Sequence, residues 1–178
     1  MNLHPGGEEN LHRMLELAAL PEGCLVLDMG AGDGNSVMEL DSIGYDAAGI
    51  DLEPRGDNVL KGDFLSLPFE DASFDAVLSQ CSFFISGDQG KALSEAFRVL
   101  KRGGRLMLAD FSCGPLAEKA MAAGFEIRHC EDMTEAWNEY YMEALWSGRI
   151  GCDGATEVFR KHRGEGKPEY TLLICDKR

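Results

Sequence analysis

The chain has 178 residues, 44% of them hydrophobic and 27% charged, a size and make-up that suit one domain with one buried core and exclude a globally disordered chain. Seventeen Lys and Arg stand against 31 Asp and Glu, a net charge of −14 spread along the whole length; such a surface repels phosphate backbones and anionic lipid, so neither a nucleic acid nor a membrane is expected as partner. No apolar run approaches the roughly 20 residues that cross a bilayer, and Met1 to Asn10 shows neither the basic nor the apolar stretch of a secretion leader, which makes the cytoplasm the expected location.

Taken in chain order, Leu11, Met14, Leu15 and Ala18 repeat at helical spacing and predict an amphipathic helix that stops before Pro21. Cys24 to Met29 is a short apolar run ending at a glycine, the mark of a buried strand. A helix from about Ser36 to Ile43 follows, closed by Gly44, then strands at Asp46 to Ile50 and Val59 to Lys61. Phe74 to Ser79 reads as a fourth strand. Leu93, Ala96, Phe97 and Leu100 form a second helical stripe, with Asp88 as its N-cap and Gly103 as its stop.

Arg105 to Ala109 is a fifth strand, Leu116 to Ala123 a helix ended by Gly124, Phe125 to Cys130 a sixth strand and Tyr170 to Cys175 a last one. Strand and helix alternate, which predicts an α/β fold with a mostly parallel sheet covered on both faces. The stretch before the last strand is too long for a structureless loop. Trp137, Tyr140, Tyr141, Ala144 and Leu145 share one helical face there, so a helical insert at about 134–167 is expected. Its aromatic face either packs on the sheet or covers a ligand pocket. The basic cluster Arg160, Lys161, His162 and Arg163 reads as a solvated helix end.

The strongest signal is Val26-Leu27-Asp28-Met29-Gly30-Ala31-Gly32-Asp33-Gly34, a strand running into three alternate glycines and then a helix. Glycines there allow a sharp turn and a close approach of ligand to backbone. Asn35 stands where the dinucleotide fingerprint needs its third glycine, and Asp28 would repel a pyrophosphate; both count against a nicotinamide cofactor. Asp28 suits a cationic or amino-bearing ligand instead. Asp51, at the end of the second predicted strand, can accept from both hydroxyls of a ribose, and the two acids share the carboxyl edge where open α/β sheets bind ligands.

The run Leu25 to Gly34, Asp51 after its strand, Gly62-Asp63-Phe64 before Leu67-Pro68-Phe69, Ser73-Phe74-Asp75-Ala76-Val77 and Phe97 to Arg105 resemble the class I S-adenosylmethionine-dependent methyltransferases, most closely the small-molecule branch that includes the ubiquinone and arsenite methyltransferase types. The resemblance covers about residues 11 to 130. It implies a Rossmann-like, doubly wound sheet of seven strands, the last antiparallel. It also implies a site in which Gly30, Ala31, Gly32 and Gly34 line the methionine moiety, Asp28 lies near its ammonium group and Gln80 faces the same portion. Asp51 would hold the ribose, Leu52 would lie against the adenine, and Asp63 with the Phe64 backbone N–H would take the adenine edge. S-adenosylhomocysteine would be the product and a small molecule the acceptor.

Candidate bases are Asp110 at the end of the fifth strand, His129 in the sixth, and Tyr140 or Tyr141 on the insert. Six cysteines without a CxxC pair are expected as free thiols, and no metal site is assigned. Cys81, Cys113 and Cys130 all fall at carboxyl ends of predicted strands and could together hold a soft metalloid, or be core residues. The expectation is one methyltransferase domain over residues 1–178. Two alternatives stay open: a non-catalytic cofactor-binding module and a nicotinamide-dependent oxidoreductase.

Overall fold

In a computed structural model of the chain, residues 7–147 and 168–178 are described. The elements follow in the order α1 (Gly7–Ala18), β1 (Leu25–Met29), α2 (Asn35–Ser42), β2 (Asp46–Asp51), β3 (Val59–Lys61), a 3₁₀ turn (Phe64–Ser66), β4 (Phe74–Gln80), α3 (Gln89–Val99), β5 (Leu100–Cys113), α4 (Leu116–Ala122), β6 (Glu126–Asp132), α5 (Thr134–Trp146) and β7 (Pro168–Asp176). Seven strands form one sheet in the order β3-β2-β1-β4-β5-β7-β6, and β7 alone runs antiparallel to its neighbours. This is the expected doubly wound sheet.

Side-chain alternation along the strands divides the core in two. Leu27, Met29, Val77 and Leu106 pack with Ala92, Leu93, Ala96 and Val99 of α3 and with Leu116 and Ala120 of α4. Val26, Leu78, Met107 and Ile174 point to the other face, where Leu11, Met14, Leu15 and Ala18 of α1 and Leu40 of α2 cover them. The periodic residues that predicted α1 are thus the residues it buries, as are Leu93 and Ala96 of α3. Asp88 caps α3 as expected, its carboxylate accepting from Lys91 N at 2.9 Å.

The two ends of β5 differ most from the sequence reading. Leu100 closes the helical stripe in sequence but opens β5 in space, opposite Phe74. At its other end β5 runs past Ala109 to Cys113, because Asp110 to Cys113 face Thr171 to Pro168 of β7. That pairing is long-range, and nothing in the local pattern announces it. Asp110 is therefore inside a strand rather than at its tip.

The first part of the expected insert is α5. Trp137 is buried and meets Phe111 edge-on at 4.6 Å between ring centres, and Phe111 in turn lies against Tyr170 at 4.9 Å. The helix is thereby tied to the carboxyl end of β5. Residues 148–167, which include Cys152 and the basic cluster at 160–163, lie outside the described residues, as does the side chain of Tyr141. Cys24, Cys81, Cys113, Cys130 and Cys175 are free thiols. Among the described residues no helix is long and apolar enough to cross a membrane.

Candidate active site

Where β1 ends, the chain must turn sharply to start α2, and glycine makes the turn possible. Gly30 has φ +88°, and a Cβ there would stand 2.1 Å from Ser82 Oγ; Gly34, the N-cap of α2, has φ +78°, and its Cβ would stand 2.2 Å from Asn58 Oδ1. Both positions combine a left-handed backbone with a close neighbour, so any side chain is excluded twice over. The loop is pinned by Gly30 N and Ala31 N donating to Ile50 O at 2.8 and 3.1 Å. Asp51 completes the anchorage: Oδ2 accepts from Gly32 N and Oδ1 from Glu53 N, each at 2.9 Å.

Above this loop lie two adjoining cavities at the carboxyl edge of β1, β2 and β4. The larger, of about 540 Å³, is lined by Asp28, Gly30, Ala31, Gly32, Asp51 and Gln80 among the expected residues, with Asp33, Ser36, Glu53, Pro54, Arg55, Cys81, Ser82 and Ile85 in addition. The second, of about 340 Å³, is lined by Leu52, Asp63 and Phe64 and shares Gly30, Asp51, Glu53, Ser82 and Ile85 with the first. Asp51 and Gly30 thus stand at the junction. Of the expected binding residues, only Gly34 lies away from both walls; its work is to fit the loop against Asn58.

The electrostatics of the larger cavity follow from its lining. Asp28, Asp33, Asp51 and Glu53 face a space in which Arg55 is the one cation among the described residues. Asp28 is 4% exposed, and no described residue donates a hydrogen bond to it. Burial, reinforced by the charges of Asp51 and Asp33, pushes its carboxyl up to about 7. A group in that state gains most from a cationic donor. Gln80 is reached by Asn10 of α1, whose Nδ2 donates to Oε1 at 3.3 Å, and its own Nε2 points to Ser36 Oγ at 3.5 Å.

Of the residues put forward as bases, Asp110, His129 and Tyr140 line neither cavity. Asp110 is fully buried beneath the connection from β4 to α3. Its carboxylate accepts from Phe84 N at 3.0 Å and Phe111 N at 2.7 Å, and also from the Phe83 backbone. Burial pushes it up to about 7 against the pull of those hydrogen bonds. His129 lies on the outer strand β6, paired with Glu131 at 3.3 Å. Tyr140 is carried by α5 and lines neither cavity.

The three rim cysteines are likewise separated. Cys81 lines the larger cavity with φ +55°, donates to Tyr170 OH at 3.5 Å and is pushed up to about 12, chiefly by burial and then by the charge of Asp110. Cys113 is buried opposite Pro168, while Cys130 is exposed opposite Leu173, roughly 16 Å farther along β7. Among the described residues no three His, Cys, Asp or Glu side chains could hold a metal ion.

Asp33, Ser36, Glu53, Arg55, Ser82 and Ile85 escaped the sequence reading. The rule that ligands sit beyond the carboxyl ends of strands would have found Ser82 and Ile85, which follow β4 directly. Arg55 and Asn10 reach the site by folding back, a route without a sequence signal.

Residues 27–108 match the family model described as a methyltransferase domain. Over this stretch the chain is similar to methyltransferases. It is 34% identical over 127 residues to the demethylmenaquinone methyltransferase of Thermobifida fusca, an alignment that takes in 62% of this chain and 54% of the relative. The chain thus spans about half the length of the curated relatives it matches. Among solved structures, the domain superposes on phosphoethanolamine N-methyltransferase 2 of Haemonchus contortus in complex with S-adenosyl-L-methionine, with TM-score 0.75, 19% identity and coverage of 99% of this chain and 54% of that one. It also superposes on the [4+2]-cyclase SpnF with TM-score 0.73 and 22% identity, over 94% of this chain and 79% of the other.

Proposed function

We propose that the two adjoining cavities bind S-adenosylmethionine and that the chain, acting as a single domain, transfers its methyl group to a small-molecule acceptor, leaving S-adenosylhomocysteine. The observation that carries this reading is the buried Asp28 carboxylate, which lines the larger cavity without a donor among the described residues, beside Asp51 at the junction with the second cavity. An amino-bearing sulfonium nucleoside supplies what these residues lack: cationic donors for Asp28 and ribose hydroxyls for Asp51. The acidic lining suits such a ligand far better than it suits a pyrophosphate, which supports this cofactor over a dinucleotide.

When bound, the sulfonium supplies an activated methyl group, so the protein's share is binding, orientation and exclusion of water. Asp51, already fixed by the Gly32 and Glu53 N–H groups, presents its remaining lone pairs toward the ribose. Leu52, Asp63 and Phe64 form the wall for the base, and the Gly30 to Gly32 backbone with Gln80 forms the wall for the amino-acid end. Cys81, held protonated by burial, offers a neutral surface.

The relatives' names point to a demethylmenaquinone in one case and phosphoethanolamine in another. The net charge of −14 supports a small acceptor over a nucleic acid and supports a cytoplasmic setting. Calorimetric titration with S-adenosylhomocysteine tests the cofactor. A mass-spectrometric screen of metabolite extract for a gain of one methyl, dependent on protein and S-adenosylmethionine, tests the transfer. Heatless titration at millimolar ligand would overturn the reading.

A further inference from the structure

Among the described residues, Asn10 Oδ1 is the one side-chain polar atom that is shut off from solvent and cavity alike and has no hydrogen-bond partner. Asn10 is 3% exposed, on the first turns of α1, and Oδ1 meets no donor among the described residues while Nδ2 donates to Gln80 Oε1 at 3.3 Å. An enclosed carbonyl left in this way costs roughly 1–3 kcal/mol. Leucine would fill the space without that cost, so the amide asks for a reason.

Gln80 supplies one. In the ladder between β1 and β4, Asp28 stands opposite Leu78, so Gln80, two residues on, projects from the same face of the sheet as Asp28. Both line the larger cavity, with Ser36 beside them. In the observed arrangement Asn10 donates to Gln80, and Gln80 therefore turns its NH₂ toward Ser36 and the cavity. A cationic amine seated over Asp28 meets a donor there, where it needs an acceptor. Turning the Gln80 carboxamide end for end places Oε1 on the cavity side and Nε2 against Asn10. The atom then required to receive Nε2–H is a carbonyl oxygen, and Asn10 holds one in reserve, Oδ1.

We propose that Asn10 is a positioning residue for the amino group of the ligand: the Asn10–Gln80 amide pair has two polarities, and an ammonium over Asp28 selects the one in which Asn10 Oδ1 accepts from Gln80 and Gln80 Oε1 faces the ligand. This rests on the reading of the cleft as an S-adenosylmethionine site and adds to it a residue from α1. An amide at position 10 serves both polarities because it carries a donor and an acceptor side by side. Ser36 adapts to either polarity, since a hydroxyl both gives and takes.

The test compares two probes by calorimetry: S-adenosylhomocysteine, which has the amino group, and 5′-methylthioadenosine, which shares the nucleoside but lacks the amino-acid portion. Asn10→Leu is expected to weaken S-adenosylhomocysteine about tenfold and to leave 5′-methylthioadenosine within twofold, the second ligand showing that the fold and nucleoside site are intact. Adding Gln80→Glu to Asn10→Leu is expected to restore S-adenosylhomocysteine to within threefold of the unmodified chain, because a carboxylate has no polarity to set. Equal loss for both probes, no loss for either, or no rescue by the second substitution would overturn the role given to Asn10. Failure of the unmodified chain to bind either probe would instead overturn the reading of the cleft.

Discussion

Asp28 near the end of β1 and Asp110 in β5 are both buried carboxylates, and in both the loss of water is the main force pushing the carboxyl up to about 7. Their surroundings divide the sheet into two halves. Asp110 is saturated by backbone N–H groups of Phe83, Phe84 and Phe111 beneath a plug made by Phe111, Trp137 and Tyr170. Asp28 opens on a cavity and has no donor among the described residues. Burial and a raised pKa therefore do not separate a structural acid from a ligand-binding one. The inventory of donors does: a satisfied carboxylate holds the fold together, and an unsatisfied one waits for a ligand.

Substitution at Asp110 is expected to give the largest effect. Asp110→Ala strips acceptors from three enclosed N–H groups at roughly 1–3 kcal/mol each, so thermal unfolding should fall by ten degrees or more, read by differential scanning calorimetry. Asp51→Ala is the counterpart in the ligand half. It removes the acceptor of Gly32 N and Glu53 N as well as the bonds to ribose, and S-adenosylhomocysteine affinity should fall at least tenfold and as much as a hundredfold while the fold survives.

Asp28→Asn sharpens the contrast because its two consequences have opposite sign. Removing a buried charge to which no described residue donates a hydrogen bond should raise the melting temperature at pH 7.5 by about 2–4 °C, for on the order of 1 kcal/mol. Ligand affinity should fall about tenfold in the same variant. If both quantities dropped, Asp28 would be structural after all.

Acidity separates the halves more gently. Asp28 and Asp110 both hold their protons more tightly in the folded chain than in the unfolded one, so the folded state binds extra protons between about pH 4 and 7. Stability then falls as pH rises through that window and levels above it. Glu95 works in the other direction: its hydrogen bonds to Arg98 hold it below the usual carboxylate range, and its contribution is lost in stronger acid. The melting temperature should accordingly be higher at pH 5 than at pH 7.5, with Asp28→Asn flattening the difference. The smallest effect is expected from His129→Ala on β6, which should leave S-adenosylhomocysteine affinity within twofold.

Much of this arrangement was legible in the sequence because it is written locally. The apolar runs of β1, β4 and β5, the stripes of α1 and α3, and the glycines between Asp28 and Asn35 each state their own geometry. Asp51 was legible through its place at the end of a strand. What escaped was settled by contacts between distant segments. Asp110 has the residue type and the apparent position of a base, and only the pairing of β5 with β7 shows it to be enclosed. Asn10 sits on an amphipathic helix that otherwise reads as cover, and its meaning comes from Gln80, seventy residues on.

The central claim is that Asp28 is the acid that receives a cationic nucleoside ligand, and proton release on binding tests it most directly. Calorimetry of S-adenosylhomocysteine in two buffers of different ionisation enthalpy, at pH 5.5 and 7.5, counts the protons exchanged. At pH 5.5 Asp28 is protonated before binding and must ionise to meet an ammonium group. Release of close to one proton is expected at pH 5.5 and less at pH 7.5, with an affinity that rises between the two and loss of the release in Asp28→Asn. Binding that is equally tight at both values with no proton exchanged, or an unchanged release in the variant, would contradict the claim.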